Sequence, residues 1–88
     1  MPTISMFYGI IVMMHYEKGE RHHARHLHAR YAEYEVSLDF DGEILFGKFP
    51  RRQLALLRAW VVLHRDELEA NWSLLMHETD VFRIDPLR

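Results

Sequence analysis

The hydrophobic pattern of this chain changes period once, at Pro50. Before it, Tyr34, Val36, Leu38 and Phe40 alternate with Glu35, Ser37 and Asp39. Alternation at every second residue marks a strand with one face buried and one face open. After it, Leu54, Leu57, Val61, Leu68, Trp72 and Leu75 recur at the three- and four-residue steps of an amphipathic helix, or at multiples of them. Strands first and helices later place the chain in the α+β class, with an antiparallel sheet covered on one face by helices.

The strand half divides further. Thr3–Tyr16 is nearly continuous in Ile, Val, Met, Phe and Tyr and reads as one strand buried on both faces, with Gly9 as a bulge or bend. Glu17–Arg25 is polar, contains Gly19 and reads as a loop. His26–Tyr31 is extended. Ala32-Glu33 then makes a turn, although neither residue favours positive φ. Asp41-Gly42 is a stronger hairpin signal, leading into a strand over Glu43–Phe49. The expectation is a sheet of about four strands.

Pro50 suits the start of a helix. A single helix over Arg51–Met76 would be ~39 Å long at the helical rise, whereas a six-residue strand spans only ~20 Å. A break is therefore expected near His64–Asp66, where Asp66 and Glu69 resemble a capping box. Two helices result, packed on one face of the sheet, with Trp60 and Trp72 as core anchors. Val81–Ile84 reads as a short C-terminal strand ended by Pro86. With 88 residues, residues 1–88 form a single domain.

Composition narrows the function. The formal net charge of −2 argues against a generally basic nucleic-acid binder. The absence of cysteine excludes disulfide scaffolds and thiolate metal sites, and fits a reducing compartment. The apolar stretch Ile4–Met14 is shorter than the ~20 residues a membrane span needs. It lacks a basic leader and a small-residue cleavage site. A soluble, cytoplasmic protein is expected. No phosphate-binding glycine loop, nucleophile elbow or dinucleotide fingerprint is present.

The run His22-His23-Ala24-Arg25-His26-Leu27-His28 is where chemistry is concentrated. Residues 21–30 carry Arg21, Arg25, Arg30 and four histidines with no acid among them. On a strand, His26 and His28 project from the same face. His22, on the preceding loop, is placed to fold over as a third imidazole. His64 falls on the helical stripe and points inward, where a buried imidazole needs a partner. Together His22, His26, His28 and His64 suit a divalent transition metal such as zinc, nickel or copper. A strand with exposed histidines beside arginines is also a common solvated surface, and a lone inward histidine is commonly hydrogen-bonded core. The same residues permit metal-independent RNA cleavage. His26 and His28 would act as general acid and base, Arg25 and Arg30 would stabilise the phosphorane-like transition state, and Tyr31 would stack on a base. His23 reads as loop polarity, and His15 and His77 have no assigned place.

Several stretches taken in order resemble one family. These are Met1-Pro2-Thr3-Ile4 with Phe7 and Gly9, then His22, His26 and His28 in the spacing His-x-x-x-His-x-His. Trp60, then Leu63-His64-Arg65-Asp66-Glu67-Leu68, then Asn71-Trp72 follow, and Ile84-Asp85-Pro86-Leu87 comes last. This combination resembles the prokaryotic domain-of-unknown-function family numbered 4160. The family's usual histidine stretch reads Asp-His-x-Pro-Pro-His-aromatic-His. Here Arg21 stands in place of the aspartate, Ala24-Arg25 in place of the prolines, Leu27 in place of the aromatic, and Ala32 in place of a common turn glycine. The resemblance implies a toxin–antitoxin-like gene pair, and hence a small protein partner encoded by a neighbouring gene. The functions expected are therefore partner binding centred on the histidine cluster, metal binding with hydrolysis, or RNA cleavage. Self-association into a homo-oligomer is compatible with each of them.

Overall fold

The computed structural model describes residues 2–16 and 24–88. Five strands precede two helices: β1 Thr3–Phe7, β2 Ile10–Met13, β3 His26–Tyr31, β4 Tyr34–Asp39, β5 Ile44–Gly47, α1 Arg51–Leu63 and α2 Arg65–Met76. The strands form one antiparallel meander in the order β1-β2-β3-β4-β5. This is the expected α+β arrangement, with one strand more than the sequence pattern suggested.

The extra strand comes from Thr3–Tyr16, which is a hairpin rather than one long strand. Phe7 faces Ile10 across a two-residue turn, with Tyr8 at φ 49 and Gly9 at φ 80. Positive φ at both central residues is the signature of a type I′ turn, whose twist matches that of the strands it joins. Ala32-Glu33 is a turn as expected, because Tyr31 pairs with Tyr34 and Ala32 adopts φ 51. The Asp41-Gly42 turn is held from within, since Asp39 Oδ1 accepts the backbone N–H groups of Asp41 and Glu43, each at 2.9 Å. It is also held by the helices. Arg58 donates to the Gly42 carbonyl and Arg65 pairs with Asp41.

The core lies between one sheet face and the helices. Ile10, Val12, Leu27, Val36 and Leu38 point into it from the sheet, and Leu57, Trp60, Val61, Leu68 and Trp72 from the helices. The helices meet at His64, whose φ of −115 interrupts the helical run. Its carbonyl still accepts from Leu68 N–H, so the break is a kink. The second helix begins at Arg65, so Asp66 lies inside its first turn beside Glu67 rather than at the cap. Both carboxylates suit the positive end of the helix dipole.

The C-terminal segment is not a strand among the described residues. It follows β1 through one backbone bond, from Ile84 N–H to the Ile4 carbonyl at 2.7 Å. Side chains anchor the rest. Trp60 Nε1 donates to the Asp85 carbonyl at 2.8 Å, and fully buried Asn71 bonds both the N–H and the carbonyl of Phe82. No helix of the described residues is long and apolar enough to cross a membrane.

Candidate functional site on the open face of the sheet

Strand β3 sends Leu27 and Ala29 into the core. By the alternation of a strand, His28 and Arg30 then stand on the opposite face, away from the helices. His26, at the start of the strand, shares their parity, but its ring reaches Trp72 of α2. Register sets their neighbours. His28 lies between Met13 on β2 and Ser37 on β4, and Ser37 in turn faces Phe46 on β5. The result is a row Met13–His28–Ser37–Phe46. Beside it runs a second row, Ile11–Arg30–Glu35. The first row, with Arg30 and Glu35 of the second and with Ala29 and Val36, lines a cavity of about 360 Å³.

Three imidazoles gather at one end of this face. His15, just past β2, stacks on His28 with ring centroids 4.8 Å apart and planes 20° from parallel. His26 meets His28 edge-on at 5.1 Å, and its other side lies against Trp72 at 5.4 Å. His28 Nδ1 and Ser37 Oγ share a hydrogen bond of 3.1 Å. His26 Nδ1 is 2.8 Å from the Ala24 carbonyl. A carbonyl only accepts, so Nδ1 carries the proton and the neutral ring keeps its lone pair on Nε2.

The other candidates are distributed differently. Arg30 donates from Nε and Nη2 to Glu35 Oε1 at 3.1 and 2.7 Å, and Arg25 pairs with Glu69 at 2.6 Å. Each arginine must leave its carboxylate before it can meet a phosphate. Tyr31 has the parity of Leu27 and Ala29. It packs at the margin of the core against Phe49, on the other face from His26 and His28. His64 belongs to the helical layer, where its ring lies 5.4 Å from that of Trp60 and Nδ1 is bonded to Glu67 at 2.6 Å. Eight residues separate His64 from Trp72, the residue that touches His26. That is about 12 Å along the helix axis. The structure thus brings His26 and His28 together and leaves His64 apart. His22 lies outside the described residues, as do Arg21 and His23. Among the described residues, no group of three or more His, Asp or Glu is arranged to hold a metal ion.

Sequence reasoning missed His15, Met13 and Ser37 as parts of this site. Parity from Met13 would have placed His15 on the open face, once the Tyr8-Gly9 hairpin fixed which residues of β2 face outward. Away from the site, the Asp41 carboxylate, hydrogen-bonded to Arg65, raises the pKa of that guanidinium.

The profile of one family, described as a domain of unknown function, DUF4160, matches residues 9–73. The chain belongs to the DUF4160 family. The matched stretch runs from the first hairpin through most of α2 and contains every residue of the two rows and of the imidazole cluster. The β1 strand and the C-terminal segment lie outside the match. No curated protein and no solved structure matches the chain.

Proposed function

We propose that this DUF4160 protein is the partner-binding component of a prokaryotic, toxin–antitoxin-like two-gene module acting in the cytoplasm. It docks the small protein encoded by the neighbouring gene on the open face of its sheet, with the histidine cluster at the centre of the contact. The observation that carries this reading is the composition of that face. Met13, Ile11 and Phe46 surround His28, Ser37 and Arg30, and Phe46 is 76% exposed. Methionine, aromatic residues and arginine are enriched at protein interfaces. A concave face open to solvent, with apolar side chains around a few hydrogen-bonding groups, suits a protruding side chain of a folded protein. The resemblance of the chain to a family of paired genes supplies the choice of occupant.

The test is calorimetric titration of the purified protein with the neighbouring gene's product. Wild type should bind, and Met13→Lys, which places a charge in the row beside His28, should weaken binding by at least about 2 kcal/mol. Wild type that ignores this protein would exclude the reading.

A second reading is supported by the bond from His26 Nδ1 to the Ala24 carbonyl. It leaves the lone pair on Nε2, the tautomer that metal-ligating histidines show. In that reading His26 and His28, with His22, bind zinc, nickel or copper, and His64 is not a ligand. Mass-spectrometric metal analysis of untagged wild type beside a His26→Ala/His28→Ala variant tests it. Stoichiometric metal lost in the variant supports it, and no metal in either removes it.

A further inference from the structure

The two edges of the sheet are guarded differently. At one edge, β1 is followed by the C-terminal segment, whose Ile84 N–H donates to the Ile4 carbonyl. At the other, β5 pairs with β4 on one side, and among the described residues no element covers its outer side. Within Ile44–Gly47 there is no charged residue and no proline. Ile44, Leu45 and Phe46 are 42%, 48% and 76% exposed. An apolar edge is a template for another strand, and proteins blunt such edges by shortening or bulging the strand or by placing lysine or proline in it. The β5 strand is short and bulged but carries neither lysine nor proline.

The charges around β5 say which strand. Glu43 stands at its start, and Lys48, Arg51 and Arg52 follow its end. Among the described residues none of these four is in an ion pair; the pairs formed there involve Arg25, Arg30, His64 and Arg65. Arg51 and Arg52 also begin a helix that has no acidic residue in its first turn and no side-chain cap. Two arginines at the positive end of a helix dipole make that end attractive to a carboxylate from elsewhere. An antiparallel copy of β5 supplies one. A two-fold axis through Leu45 sets Glu43 opposite Gly47 of the second copy, and one through Phe46 sets it opposite Phe49. Lys48 is adjacent in either register, and the match occurs twice by symmetry. A parallel arrangement would set like charges together.

We propose that two copies of this chain associate edge to edge through antiparallel β5 strands, joining their sheets into one. Leu45 and Phe46 meet their counterparts near the two-fold, and Glu43 faces the Lys48–Arg52 end at both ends of the contact. The proposal does not rest on the docking reading. If both hold, the two open faces lie side by side on one surface of the joined sheet. β5 has four residues and a bulge at Leu45, so the contact is well below the ~800 Å² per partner of a standard interface. The dimer is accordingly weak and salt-dependent, with a dissociation constant in the micromolar range, roughly 1–100 μM.

Sedimentation velocity of untagged protein across that concentration range tests it. Wild type should pass from monomer to dimer as concentration rises, and added salt should shift it back. Leu45→Lys, an exposed substitution, should weaken association about tenfold or more. Glu43→Lys should do the same by facing Lys48, and the swap Glu43→Lys/Lys48→Glu should restore it. Circular dichroism and thermal melting check that the variants keep the fold. A protein that stays monomeric throughout overturns the proposal. So does a dimer indifferent to Leu45→Lys, or one that the charge swap fails to restore.

Discussion

Asn71 offers the sharpest test of how the C-terminal segment is held. Its side chain is fully buried on α2. Nδ2 donates to the Phe82 carbonyl at 2.9 Å and Oδ1 accepts from the Phe82 N–H at 3.0 Å. One amide side chain thus stands in for a strand partner. Asn71→Ala removes both bonds. At about 1 kcal/mol net for each, the loss is about 2 kcal/mol. A domain of this size has about 4–13 kcal/mol in all, so the variant folds, but its melting temperature should fall by about 10 °C. Asn71→Asp is more discriminating, because it keeps the acceptor and turns the donor into a second acceptor facing a carbonyl. Burial and that carbonyl both disfavour the ionised form, so the folded-state pKa of the new carboxyl lies above its unfolded value of about 3.9. The deficit of the Asp variant is therefore full above the folded-state pKa and shrinks as pH falls through it. Urea denaturation of both variants at about pH 4.5 and pH 7.5 reads these effects. An Ala variant within about 0.5 kcal/mol of wild type, or an Asp deficit equal at both pH values, would refute the reasoning.

Other substitutions address the sheet and the helix junction. Gly47 has φ 81, and an added Cβ would run into the Glu35 carbonyl oxygen of β4. Gly47→Ala should therefore cost more than the ~1–2 kcal/mol of left-handed strain alone and open the β4–β5 pairing, read by denaturation and amide exchange. Ala32 sits at φ 51, so Ala32→Gly should stabilise the β3–β4 turn by about 0.5–1 kcal/mol in the same assay. His64→Leu keeps the contact with Trp60 and loses a bond to a Glu67 side chain that is 45% exposed. It should change stability by less than about 1 kcal/mol, and a larger loss would show a role that the local contacts do not explain.

The fold was legible where one physical rule acted alone. Alternation over Tyr34–Phe40, the Asp41-Gly42 turn and the helical stripe after Pro50 each had a single meaning. The first hairpin was not legible because Tyr8 occupies a left-handed position usually held by asparagine, aspartate or glycine. Missing that turn hid the parity of β2, and with it the place of His15. The shared face of His26 and His28 followed from spacing two residues apart. His64 was expected to point inward. It is largely buried against Trp60, but the partner it needs is Glu67, three residues further along the chain. Asn71 and Phe82 lie eleven residues apart. Their pairing depends on how the chain returns across α2, which no local pattern encodes. The open face itself could not be read as a site before the register was known, because Met13, Ser37 and Phe46 come from three strands.

The central claim is that the open face of the sheet, around His26 and His28, is where a protein partner sits. It is tested most directly by titrating the neighbouring gene's product into four proteins: wild type, Met13→Lys, His26→Ala and His64→Leu. The account predicts saturable binding to wild type, marked weakening in the first two variants, and unchanged binding in the third, whose substitution lies in the helical layer. Absent binding, or equal affinity for all four, would contradict it.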